Sequence, residues 1–288
     1  MTRRNPILDR RALFATGVAA ALLGATGVSA MAAPRRGGRL RLALSGAARG
    51  DDWGAGDGLF MQVARQGLIF DTLTEVAANG ILKGELATDW HGSADGRLWQ
   101  FDLRPDVAFH DGRPFGAADV VESLQSALGA GAEISARGGL QVTVRLQVAN
   151  PDLPLLLSGP QFVIRPANAP LAGIGTGLYR LRRFSAGQQV LTERVASHYK
   201  DGSAGWFDEV ELVSIPADTV RAQALGEYMI DAADLPAQAP LHDRRDVAVL
   251  PHSGGGINAV SGDIAMPMTT GRQRPLDNLR AAERWWFA

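Results

Sequence analysis

The chain has 288 residues, 29 basic and 30 acidic side chains, a formal net charge of −1 and no cysteine. Near-neutrality leaves no basic footprint for nucleic acid, and the lack of cysteine excludes disulfides, a thiolate nucleophile, a thiolate metal site and a lipid-modified cysteine. With 46% hydrophobic residues, the chain has the composition of a globular protein and the length for one large domain or two modest ones.

Arg3, Arg4, Arg10 and Arg11 stand against one acid, Asp9, before a small-residue apolar run from Ala12 to Ala30. This is the n-region and h-region of a secretory signal. Val28-Ser29-Ala30 and Met31-Ala32-Ala33 place small residues at the spacing of signal peptidase, so cleavage is expected after Ala30 or Ala32. The run is rich in Ala, Gly and Thr, and its central apolar stretch is short for a span of about 20 residues, which favours a cleaved signal over an anchor. Asp9-Arg10-Arg11-Ala12-Leu13-Phe14 resembles the twin-arginine export motif, although an arginine pair also fits the general secretory route. Loss of residues 1–30 would take away four Arg and one Asp and leave a mildly acidic, soluble protein in the periplasm.

After a flexible leader over residues 31–38, Arg39-Leu40-Arg41-Leu42-Ala43-Leu44 alternates polar and apolar, which predicts a first strand. A Gly/Asp-rich loop over 45–58 follows, then a helix expected over Leu59 to Leu73. Leu98 to Arg104 places Trp99, Phe101 and Leu103 on one face of a strand. Asp111-Gly112 predicts a tight turn, and Pro114 fixes its exit. A helix follows with Val120, Val121, Leu124 and Leu128 on one face and Asp119 near its N-terminus. Strict alternation over Leu140 to Val148 predicts a strand with one buried face. Further strands are expected at Gly177–Phe184, Gln188–Arg194 and Glu209–Ile215, and Asp218 or Thr219 is expected to cap a helix holding Val220, Ala224 and Leu225. Residues 236–288 read as irregular.

Catalytic signals are weak. Ser197-His198-Tyr199-Lys200 has the S-x-x-K spacing of serine penicillin-recognising enzymes but no later K-T-G, so a periplasmic serine hydrolase is a remote alternative. The five histidines show no metal-ligand spacing and read as surface or turn residues. Gly54, Gly56 and Gly58, like Gly173, Gly175 and Gly177, lack full dinucleotide spacing and read as turn geometry. Nothing nominates a catalyst, a metal or a cofactor.

The ordered segments resemble the extracytoplasmic solute-binding proteins of family 5, the peptide, dipeptide and nickel type that serve ATP-driven importers. The resemblance rests on Ile69-Phe70-Asp71-Thr72-Leu73, on Gly84-Glu85-Leu86-Ala87-Thr88-Asp89-Trp90 with Ser93-Ala94-Asp95-Gly96, and above all on Trp99 to Arg104 running through Val107 to Phe115 and on to Ala118-Asp119-Val120-Val121. It continues in Gly175 to Leu181, Glu193-Arg194, His198 to Gly202 and Arg221 to Asp231. It implies a mixed α/β lobe of the periplasmic-binding-protein type II kind over 39–235, no enzymatic activity, a peptide, nickel chelate, opine or oligosaccharide as solute, and an inner-membrane ABC permease as partner. Relatives take ligand contacts from the loop and helix start after the first strand, which here are Asp52, Trp53, Asp57, Phe60 and Met61, with Trp53 as an apolar wall.

Relatives of this kind are commonly nearly twice as long. Arg274-Pro275-Leu276-Asp277-Asn278-Leu279-Arg280-Ala281-Ala282 resembles the segment that enters their second lobe, so a shortened form with its first lobe alone is expected. Such a form would expose apolar surface, including Trp285-Trp286-Phe287, and call for a dimer, a paralogue or another partner. A lobe that docks a protein partner without binding solute is therefore the alternative function.

Overall fold

A computed structural model of the chain describes residues 37–54, 56, 58–76, 81–236, 247–251 and 256–261. The expected signal, Asp57 and Trp285-Trp286-Phe287 lie outside the described residues. The chain opens with β1 (Arg39–Leu44) and α1 (Leu59–Arg65), followed by β2 (Thr74–Val76), β3 (Leu82–Gly84), β4 (Ala87–Gly92) and β5 (Leu98–Leu103). Then come α2 (Ala117–Leu128), β6 (Ala132–Ala136), β7 (Gln141–Leu146) and the single turn α3 (Leu153–Leu156). The second half holds β8 (Tyr179–Ser185), β9 (Gln189–Arg194), β10 (Glu209–Ser214), α4 (Asp218–Gly226), β11 (Ala232–Pro236), β12 (Val247–Pro251) and β13 (Gly256–Ser261).

These strands form a seven-stranded sheet in the order β12-β13-β11-β1-β10-β9-β8, a four-stranded sheet in the order β4-β5-β7-β6, and the small pair β2-β3. In the large sheet β1 runs parallel to both neighbours, β10 and β11, and the remaining pairs are antiparallel. The alternation of β1 has a direct consequence. Leu40, Leu42 and Leu44 pack on one face with Phe60, Met61 and Val63 of α1, and Ala43 packs on the other with Ala222, Ala224 and Leu225 of α4. A strand covered on both faces belongs in the middle of a sheet. Arg39 and Arg41, on the Ala43 side, find carboxylates on adjoining segments instead: Arg39 pairs with Glu209 and Glu211, and Arg41 with Asp231 at 3.0 Å.

The four-stranded sheet and α2 enclose a second core built from Phe101, Leu103, Val120, Leu124, Val142 and Val144. Helix α2 begins where the Gly116 N–H donates to the Asp119 carboxylate at 3.0 Å, the carboxylate placement that a helix N-terminus favours.

Several expectations needed correction. The helix after the loop ends at Arg65 rather than Leu73, because Gly67 adopts φ +95° and turns the chain into Leu68, Ile69 and Phe70, which are fully buried. Helix α4 starts without a side-chain cap, since Ala217 is its N-cap, and Val220 faces solvent. The segment 236–288, expected to be irregular, contributes β12 and β13, which extend the large sheet beyond β11. Among the described residues no helix is long and apolar enough to cross a membrane.

Candidate functional site

The carboxyl ends of β1, β10 and β11 lie side by side, and in open α/β sheets ligands bind outside the carboxyl ends of parallel strands. Polar side chains brace these ends. The Ser45 N–H donates to Asp234 at 2.8 Å, and the Ser45 hydroxyl makes a second, short bond to the same carboxylate. Arg221, almost completely buried, donates to the Asp234 carbonyl at 2.7 Å and to the carbonyls of Ile215 at 2.5 Å and Pro216 at 2.9 Å, with its Nε 3.4 Å from the Asp234 carboxylate. The three strand ends are thereby held in a fixed arrangement.

The loop from Ser45 to Gly58 rises from this platform. Its two ends meet: the Phe60 N–H donates to the Ser45 carbonyl at 3.2 Å, and a side chain on Gly58 would overlap the Gly46 carbonyl. This is the geometry of a closed surface loop. Asp51 is buried and accepts from the Ala48 N–H at 2.7 Å, forming a tight turn inside the loop.

The five residues expected at the site fall in different places. Asp52 is exposed and accepts from the Gly54 N–H at 2.7 Å. Trp53 is only 4% exposed and packs on Phe184 at a centroid distance of 4.8 Å and on Phe70 at 6.0 Å. Phe60 and Met61 are fully buried and form the floor beneath the loop. Asp57 lies outside the described residues.

Ser45, Arg165, Arg221 and Asp234 were not foreseen at this end of the sheet. No local pattern marks Ser45 and Asp234, because each acts through a partner remote in sequence. Residues 165–173 form the loop's neighbour: Leu171 and Arg165 approach Gly54, and the Trp53 indole lies against Gly173.

The S-x-x-K run has a different role from the one its spacing suggests. Lys200 is buried, with its ammonium 2.9 Å from Glu75, 2.5 Å from Glu85 and 4.0 Å from Asp71. An ammonium held by carboxylates is charged and unavailable as a general base. Glu85 also accepts from the Thr72 N–H at 2.7 Å, and the Thr176 hydroxyl donates to Asp71 at 3.0 Å. Burial alone would raise the Asp71 carboxyl, but the approach of His198 and the charge of Lys200 outweigh it and hold it well below the usual carboxylate range. Asp71, Glu75, Glu85 and Lys200 thus form a buried ionic cluster.

His110 and His198 are not surface residues. His110 contacts the Gly177 carbonyl through Nε2 at 2.8 Å and accepts from the Gly175 N–H at Nδ1. His198 meets the Thr176 carbonyl at 2.9 Å. The segment Gly175-Thr176-Gly177 is therefore clasped from two sides, and its glycines allow it to lie directly on the Ile69 and Leu68 carbonyls. Burial lowers the pKa of His110 below its ordinary value. Among the described residues no group of three His, Asp or Glu is arranged to hold a metal ion.

A lobe with a central parallel strand, a closed loop over its carboxyl end and a second packed sheet defines a substrate-binding-protein fold. Solved structures bear out the class. The PBP AgaA in complex with agropinic acid, from A. tumefacien R10, aligns at a TM-score of 0.68 and 22% identity, over 75% of this chain and 48% of that one. DppA from Helicobacter pylori in complex with the peptide STSA aligns at 0.64 and 20% identity, over 75% and 50%. NikZ from Campylobacter jejuni in complex with Ni(L-His) aligns at 0.61 and 20%, over 74% and 46%.

The profile of bacterial extracellular solute-binding proteins, family 5 Middle, matches residues 82–280, and the chain belongs to that family. The nickel-binding periplasmic protein of Escherichia coli K12 is 36% identical over 67 residues, 23% of this chain and 13% of that protein. The HTH-type transcriptional regulator SgrR of Pectobacterium atrosepticum is 33% identical over 183 residues, 59% of this chain and 32% of that protein. The chain thus spans about half the length of the solved structures it matches and a third or less of these curated relatives.

Proposed function

We propose that this protein is the solute-recognising component of an ABC importer, exported by the signal over residues 1–30 and working in the periplasm without catalysing a reaction. Its solute is a peptide or a related small molecule such as a nickel chelate, an opine or an oligosaccharide. The observation that carries the reading is the braced platform at the carboxyl ends of β1, β10 and β11, with the 45–58 loop closed over it. Asp52 and Asp57 are the polar contacts from that loop, while Trp53, Phe60 and Met61 support it from below. Family membership supports solute binding, and the neighbours complexed with agropinic acid, a peptide and Ni(L-His) support the range of solutes.

A thermal-shift screen of the purified protein against trialanine, Ni(L-His), an opine and maltotriose tests the proposal. A ligand at about 100 times its Kd adds about 2.7 kcal/mol, which raises the Tm of a chain this size by several degrees. No shift with any of the four would count against small-solute binding. A second reading, a lobe that docks a protein partner, draws on Val220, Tyr228 and Met229, three exposed apolar side chains in and just after α4. Alanine replacement of all three leaves a solute response intact under the first reading.

A further inference from the structure

Arg165 stands apart from the other buried or half-buried arginines. Arg194 and Arg221 donate to carbonyls and carboxylates through several nitrogens. Arg165 is half-buried, its Nε is sealed from solvent with no hydrogen-bond partner, and its guanidinium enters none of the ion pairs among the described residues. A desolvated donor of a charged group without an acceptor destabilises the fold that holds it.

The backbone beneath this guanidinium is fixed. The Arg165 N–H donates to the Ser123 hydroxyl of α2 at 2.9 Å, that hydroxyl lies 3.2 Å from the Arg165 carbonyl, and the preceding Ile164 N–H donates to the Asp71 carbonyl at 2.9 Å. The head group reaches the closed loop. Its NH1 lies 3.3 Å, and the Asp52 carboxylate 3.5 Å, from the point where a side chain on Gly54 would begin. Leu171, more than half exposed, brings an apolar edge to the same point at 2.6 Å. A cation on a fixed backbone, a nearby carboxylate and an apolar edge therefore converge on the tip of the loop that the proposed function places over the solute.

We propose that Arg165 is a specificity-determining residue that receives a carboxylate of the solute, and that the terminal edge of its guanidinium, which places NH1 beside Gly54, donates to the two carboxylate oxygens. Two parallel N–H donors in a planar fork match a carboxylate, and a backbone already fixed loses little freedom on binding. The inference rests on the solute-binding reading and narrows it to solutes with a free carboxylate that reaches the Gly54 edge of the loop.

The test compares trialanine with trialanine amide, which lacks the terminal carboxylate, on wild type, Arg165→Met and Arg165→Lys. The expected result is a Tm rise of several degrees with trialanine on wild type and at least a tenfold weaker response to the amide. In Arg165→Met that preference disappears, and in Arg165→Lys it is reduced, because a point charge replaces the fork. Without any ligand, Arg165→Met should melt about 2 °C or more above wild type, since a thioether removes the unsatisfied donor. A lower melting point for ligand-free Arg165→Met assigns the arginine a structural role and overturns the proposal. Equal wild-type responses to trialanine and its amide overturn it too, yet leave solute binding standing. Response to neither peptide removes the peptide reading and this inference together.

Discussion

Lys200 joins parts of the chain that sequence distance keeps apart. It is buried between Glu75 and Glu85, 125 and 115 residues away, and Arg104 closes the group by donating to the Glu85 carbonyl at 2.9 Å while lying over the Tyr199 ring. Removing the cation leaves buried carboxylates short of their shared partner, although Glu75 keeps Lys83 at 2.8 Å, and breaking such a pair costs about 3–5 kcal/mol. Lys200→Met should therefore shift the urea midpoint sharply downward, and adding Glu85→Gln to it should recover part of the loss. A change under about 1 kcal/mol in Lys200→Met would show that the cluster does not hold the fold together. From sequence, this lysine was visible as the end of an S-x-x-K string and as part of the family run His198 to Gly202. Short-range spacing carries no information about partners more than 100 residues away, so its structural role follows only from the fold.

Loop closure follows the same logic at the level of elements. The glycines of the 45–58 loop were legible as turn formers, but the reason for Gly58 is contact with Gly46, and only the closed loop shows it. Gly58→Ala forces the two chain segments apart. The expected loss is about 1–3 kcal/mol by denaturant titration, the range of an overpacked site, together with a weaker response to whichever solute stabilises the wild type. An unchanged midpoint would mean that the loop opens without cost. Elements with strong periodicity were read well: β1, β5, β7 and β10 alternate along most of their length, and α2 repeats its apolar face at helical spacing. Those that escaped notice are short or weakly patterned. β4 exposes Thr88, Asp89, His91 and Gly92, and β11 is Ala-Ala-Asp-Leu-Pro, a string with little strand propensity that pairs because β1 and β13 lie on either side of it. At the site, the loop was found by its position after the first strand. Its bracing residues, Asp234 and Arg221, lie about 180 residues downstream, and no local pattern tied either of them to the loop.

Among the described residues, a strap crosses between two of the three hydrophobic cores. The core of the large sheet and that of the four-stranded sheet are distinct, and Gly175-Thr176-Gly177 runs between them. The Gly177 N–H donates to Ile69 at 2.9 Å, and the His110 N–H donates to Gly175 at 2.9 Å. The His110 ring accepts the Gly175 N–H at Nδ1 and meets the Gly177 carbonyl at Nε2, so protonation turns an acceptor of the strap into a second donor. Burial lowers the folded-state pKa of His110; Asp71 opposes that shift, and His198 and Arg180 add to it. A histidine with a depressed folded pKa binds more protons when unfolded, so its contribution is complete above the unfolded value of about 6.5 and is lost as pH falls through the folded value. Asp71, held low in the folded protein, adds a further loss only below about pH 4. Stability should therefore fall from pH 7.5 to pH 5 with a slope of at most about 1.4 kcal/mol per pH unit from His110 alone. His110→Gln, which cannot titrate, should flatten that part of the profile while leaving the loss below pH 4 in place. Urea midpoints at half-unit intervals measure both. An unaltered slope between pH 7.5 and pH 5 in His110→Gln would show that the strap is held by its glycines and Asp71 and that the histidine is a passive contact.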